Sequence, residues 1–132
     1  MPHTNPYFNE VIEAHRLIEQ WLGEGEVPEE VCDRLIARFS EQYSMIGIAG
    51  NALDFAGLCG FFRANGSAKS GLEIEVFDLR TVAEWPTGAV ISYQEKQRLA
   101  DITTRRYSTA VFERTAQGNI VWRHLHETSS AL

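Results

Sequence analysis

The sequence predicts an α+β domain in which three N-terminal helices cover one face of an antiparallel sheet. Two observations carry this expectation. Apolar residues recur at helical spacing through the first half of the chain, and from Leu72 onward they alternate with period two. Helices that precede a run of strands, instead of alternating with them, indicate segregated layers. At 132 residues the chain reads as a single domain, 1–132, with enough length to bury a core without disulfides or metal.

Asn5 followed by Pro6 is a helix start, a capping side chain and then proline at the first helical position. Phe8, Val11, Ile12, His15, Ile18 and Leu22 then share one face, until Gly23 and Gly25 end the helix. A second, shorter helix begins near Pro28 and presents Val31, Leu35, Ile36 and Phe39. The segment from Gln42 to Ile48 is short, apolar and β-prone. After Gly50 and Asn51 a third helix carries Leu53, Phe55, Leu58, Phe61 and Phe62. It closes at Asn65-Gly66-Ser67, which follows a helix and so is read as a C-cap, not a phosphate loop.

Strands follow. Leu72, Ile74 and Val76 alternate with Glu73 and Glu75, and Trp85-Pro86-Thr87-Gly88 makes a turn. From Ala89 to Arg98, Ile91, Tyr93, Glu95 and Gln97 lie on one side and Ser92, Gln94, Lys96 and Arg98 on the other. Leu99 to Thr103 connects to a strand from Thr104 to Thr115. Gln117-Gly118-Asn119 turns the chain into a last strand, Ile120 to Thr128.

Composition narrows the partners. A net charge of −6 argues against nucleic acid, whose phosphates need a basic surface. Arg98, Arg105, Arg106, Arg114 and Arg123 alternate with acids and apolar residues, as solvated strand faces do. The opening MPHTNPYFNE lacks the pattern of a signal peptide, and no apolar run approaches the roughly 20 residues that span a bilayer. Cys32 and Cys59 lack metal-ligand spacing and read as small buried hydrophobes in a reducing compartment. The expected location is the cytoplasm, with no nucleic acid and no membrane as partner.

The last quarter of the chain carries the candidate chemistry. Strict period two places Trp122, His124, His126 and Thr128 on one face, which would line a pocket if that face is concave and a dimer interface if it is not. Apolar residues on both faces of the last two strands require a cover for the second face. A second copy of the same sheet, giving a homodimer, is the simplest one. His15, on the apolar face of the first helix, must face the cavity or pair with a buried partner, and Glu19 one turn later is within reach to orient it. Tyr93 and Glu95 share a strand face, with Arg105 the expected cross-strand partner of Glu95. The pair His124 and His126 has a spacing that metal sites use, but no third ligand is evident, so no metal is expected. Ser108 lacks a nucleophile-elbow context.

The opening amphipathic helix, QYSMIGIAG leading to LDFAGLCGFFRANGS, GLEIEVFDL, VISYQEKQ, RRYSTAVFE and the ending WRHLHET together resemble the nuclear transport factor 2-like (SnoaL-like) family. The resemblance covers nearly the whole chain. It implies a cystatin-like cone, a curved sheet wrapped around a helix-covered cavity. It implies no particular activity, because the fold serves isomerases, cyclases, dehydratases, transport adaptors and oligomerisation modules. The carboxylate, tyrosine and protonated aspartic acid of the family's ketosteroid isomerases do not map residue by residue onto this chain.

The expected function is therefore binding of a small organic ligand in an internal pocket lined by His15, Tyr93, Glu95, Trp122, His124 and His126, without a cofactor. The alternatives are a cofactor-independent isomerase, cyclase or dehydratase acting on a small carbonyl compound, with His15, Glu95 or Tyr93 as catalytic candidates, and a protein-interaction or dimerisation module.

Overall fold

A computed structural model describes residues 4–130. Helix α1 (Pro6–Gly23) starts where the sequence places it. The Asn5 side chain accepts from the Tyr7 and Phe8 amides at 2.9 and 3.2 Å, a cap of about 1 kcal/mol. Helix α2 (Glu29–Ile36) carries two glutamates in its first turn and buries Val31, Cys32 and Leu35. The Asp54 side chain caps α3 (Phe55–Ala64) through the Gly57 amide, 2.9 Å away.

The strands are β1 (Phe39–Ile46), β2 (Ala52–Asp54), β3 (Glu73–Trp85), β4 (Gly88–Leu99), β5 (Ile102–Arg114) and β6 (Ile120–Ser130). They form one curved, unclosed sheet in the order β2-β1-β6-β5-β4-β3. The expected antiparallel sheet is thus a mixed one, because β1 runs parallel to β6 while every other pairing is antiparallel. A parallel partner some 80 residues away leaves no hairpin signal in the sequence. The short β2, paired to β1, occupies residues expected at the start of the third helix.

Irregularities in register bend the sheet. In β3, register shifts lie between Phe77 and Arg80 and again between Thr81 and Ala83. In β6 the partners of Val111 and Phe112 are His124 and Trp122, so Arg123 is an extra residue, a bulge. The core lies on the concave side, where α1 crosses the sheet. Phe112, Ile91, Ala89 and Ala110 are completely buried there, and Phe112 packs against Trp122 with ring centroids 4.6 Å apart.

The α3 end differs from a glycine C-cap. Ser67, not Gly66, has positive φ (61°), and its amide donates to the Trp21 carbonyl at 2.9 Å. Gly66 is needed for space instead. A Cβ there would sit 2.7 Å from the Trp21 ring, whose N–H donates to the Phe62 carbonyl at 2.6 Å and locks α1 to α3. Gly66→Ala is expected to destabilise the protein by about 1–3 kcal/mol through overpacking. Urea denaturation measures this, and an unchanged midpoint would mean that the Trp21 contact is soft.

Candidate functional site

The concave side of the sheet and helices α1 and α3 border a cavity of about 420 Å³. Its walls are apolar, built from Phe39, Met45, Leu58, Phe62 and Leu125. Its mouth lies between the β1–β2 turn and α3, where Ile48 and Phe61 stand 46% and 44% exposed beside Lys69. Its floor is polar, with His15, Glu95 and Glu127 buried and Gln97 and Arg106 half-buried. His15 from α1, Glu95 and Gln97 from β4, Arg106 from β5 and Glu127 from β6 meet there.

His15 is held from both ring nitrogens. Nδ1 lies 2.7 Å from the Val11 carbonyl and Nε2 lies 3.1 Å from Glu95 Oε1. Both neighbours are acceptors, so the ring donates at both positions, which is the imidazolium arrangement. Burial opposes that charge, but the Glu95 carboxylate outweighs it and lifts the His15 pKa above its ordinary 6.5. Burial likewise opposes ionisation of Glu95. His15, Arg106 and the Gln97 amide, which donates to Oε2 at 2.6 Å, reverse this and hold Glu95 down at about 2.

Glu127 is held less firmly. Arg106 Nη1 is 3.4 Å from one oxygen and the Ser108 hydroxyl 3.4 Å from the other. Burial raises its pKa, with the Glu95 charge adding to the rise and Arg106 offsetting only part of it. Two carboxyl groups on one cavity floor are thereby pushed in opposite directions.

The structure sorts the residues singled out in the sequence. His15, Glu95 and Trp122 line the cavity. Tyr93 is buried behind it, its ring edge-on to His15 at 5.4 Å. Burial, with Glu95 and Glu127 nearby, raises the Tyr93 pKa far above 10.

His124 and His126 do not share the face of Trp122. The Arg123 bulge shifts the alternation by one, so Trp122, Leu125 and Glu127 point inward while His124 and His126 lie on the outer face. His124 Nδ1 is 2.8 Å from the Ser44 hydroxyl, and His126 is exposed. Arg105 is not opposite Glu95 either. The connection is a tight turn at Ala100 (φ 56°) and Asp101, which pairs Glu95 with Arg106. Glu19 accepts from the Ile74 amide at 2.6 Å and anchors β3, leaving His15 to Val11 and Glu95. Glu127 was hidden from the sequence reading by the bulge, whereas Gln97 was already visible on the Glu95 face. Among the described residues, no three His, Cys, Asp or Glu side chains are placed to hold a metal ion and no helix is long and apolar enough to cross a membrane.

No protein-family profile matches the chain, and no curated protein matches it in sequence. An NTF2-like protein of unknown function from Pseudomonas aeruginosa has 36% sequence identity and a TM-score of 0.91, over 96% of this chain and 100% of that one. The chain belongs to the NTF2-like family. Two further solved structures are alike in architecture only. A putative ketosteroid isomerase from Shewanella frigidimarina has 14% identity and a TM-score of 0.72, covering 95% of this chain and 96% of that one. The association domain of CaMKII from C. elegans has 12% identity and a TM-score of 0.70, covering 93% and 95%.

The two pKa directions set a pH window for this NTF2-like chain. The His15 contribution to stability is complete below pH 6.5 and is lost as pH rises through its raised folded value. The Glu95 contribution is complete above its ordinary 4.5 and is lost as pH falls toward about 2. The pair therefore stabilises most between pH 4.5 and 6.5. Glu95→Gln is expected to remove this maximum and to lower the His15 pKa, since burial is then opposed only by the Val11 carbonyl and the Glu127 charge. NMR titration of the His15 ring reads the second effect directly, and a His15 pKa unchanged in the variant would contradict the pairing.

Proposed function

We propose that this NTF2-like protein binds a small, partly apolar organic molecule in the cavity between its helices and sheet. The observation that carries this reading is the cavity itself: about 420 Å³, apolar on its walls and polar at one end. That size and lining suit a ligand oriented by a few buried polar groups. Native mass spectrometry of the purified protein beside a denatured sample is expected to show an added small mass that denaturation removes. Met45→Trp, which fills the cavity from its wall, is expected to abolish the added mass while the protein stays folded. Retention of the mass by the filled variant would place the ligand elsewhere.

The opposed Glu95 and Glu127 carboxyls favour a second reading, proton transfer on a bound carbonyl compound without a cofactor. A carboxyl whose pKa burial raises holds a proton more readily than an ordinary carboxylate, while the ionised His15–Glu95 pair fixes the charge around it. A structural neighbour described as a putative ketosteroid isomerase is compatible with such chemistry.

Self-association through the outer sheet face belongs to the same reading. That face carries Tyr107, 48% exposed, with Val111, Val121 and His126 around it, and a neighbour of the same fold is an association domain. A symmetric dimer would cover this apolar surface. Val111→Arg is expected to shift the protein to monomers in analytical ultracentrifugation. A monomeric parent protein would overturn the dimer.

A further inference from the structure

We infer that the cavity's ligand is an uncharged amphipathic molecule, with a hydroxyl or amide head seated against Glu127 and Arg106 and an apolar body leading out past Phe61 and Ile48. This rests on the reading of the cavity as a binding site and adds the class of molecule it holds. The charges on the floor are matched in pairs. The imidazolium of His15 faces Glu95 at 3.1 Å, and the Arg106 guanidinium faces Glu127 at 3.4 Å. All four side chains are buried or nearly so, with 17% or less of each exposed. A carboxylate head would bring a third negative charge beside Glu95 and Glu127. An ammonium head would meet Arg106 and His15. Either leaves a charge in a desolvated place without a partner of its own.

The pairs are not equally complete. Glu95 accepts from His15 and, at 2.6 Å, from Gln97. Among the described residues Glu127 has only the two 3.4 Å contacts, to Arg106 and Ser108. Charge-assisted N–H···O bonds are commonly about 2.7–2.9 Å, so both Glu127 oxygens retain lone pairs for a better donor. A hydroxyl or amide supplies that donor, and its oxygen accepts from a guanidinium in return. It satisfies both partners without changing the charge balance. Apart from Tyr43, Asn51 and Lys69 the remainder of the lining is apolar, and the rim leaves Ile48 and Phe61 in water, a place for the hydrocarbon end of the ligand. Lys69, also at the rim, is exposed, so its charge is screened by solvent.

Four probes with one hydrocarbon body test the inference: octanol, octanamide, octanoate and octylamine, titrated at neutral pH by calorimetry. Octanol and octanamide are expected to bind at least about tenfold more tightly than the two ions. Glu127→Gln preserves shape and leaves Arg106 unmatched, so octanoate is expected to gain on octanol. Arg106→Gln leaves Glu127 unmatched, so octylamine is expected to gain. Phe61→Ser is expected to weaken all probes by a similar factor, because it touches only their common body. Tightest binding of octanoate or octylamine to the unaltered protein would overturn the inference, as would a ranking that neither floor variant changes. Failure of all four to bind would strike at the binding-site reading itself, and not merely at the ligand class.

Discussion

A buried contact between His15 and Glu95, 3.1 Å long and nearly closed to solvent, ties the first helix to the middle of the sheet. It depends on local structure at both ends. The Asn5 cap and Pro6 set where α1 begins, and the Val11 carbonyl one turn before His15 fixes which ring nitrogen points at the sheet. On β4, Gln97 holds the other carboxylate oxygen, and Arg106 crosses from β5 to supply positive charge. Losing one member of such a pair typically costs about 3–5 kcal/mol, because the survivor stays buried and unmatched. The same contact forms part of the cavity floor, so the group that positions α1 also shapes the proposed binding site.

Irregular strands decide which side chains reach that floor. A regular sheet would have left Glu127 and Leu125 on opposite sides from Trp122. The extra residue at Arg123 turns all three inward and places His124 and His126 on the outer face. The two irregularities in β3 bend the opposite edge. Curvature makes room for the cavity, and the Trp21–Phe62 hydrogen bond keeps α3 against α1 beside it. The sheet consequently has two surfaces of different character: an inner one of aromatic rings and paired charges, and an outer one on which Tyr107 and Val111 lie among charged and polar residues such as Glu113, His124 and His126.

Much of this was legible in the sequence, for physical reasons. Helix starts are local events, so Asn5-Pro6 marked α1 to the residue. Alternation over Ile91, Tyr93, Glu95 and Gln97 identified the inner face of β4, because nothing interrupts its pleat there. The partner of His15 was harder to find. It lies 80 residues away, and only the folded sheet brings the two together. A bulge changes the phase of a strand without any distinctive residue type, so Arg123 looked like an ordinary strand residue. The turn at Ala100 and Asp101 is shorter than the sequence suggested, which moved the partner of Glu95 from Arg105 to Arg106. Parallel pairing of β1 with β6 has no local signature at all.

The proposed function needs the His15–Glu95 pair to be a coupled unit, spent on structure and on charge balance, with Glu127 left available to a ligand. A double-mutant cycle tests this most directly. His15→Phe, Glu95→Gln and the double variant would be compared by urea denaturation near pH 6. A coupled pair predicts that the double variant is clearly more stable than the sum of the two single losses, by about 1–3 kcal/mol. Strictly additive losses would mean that the two groups merely lie side by side. The fold would then need a different anchor, and His15 would be free for a role at the ligand.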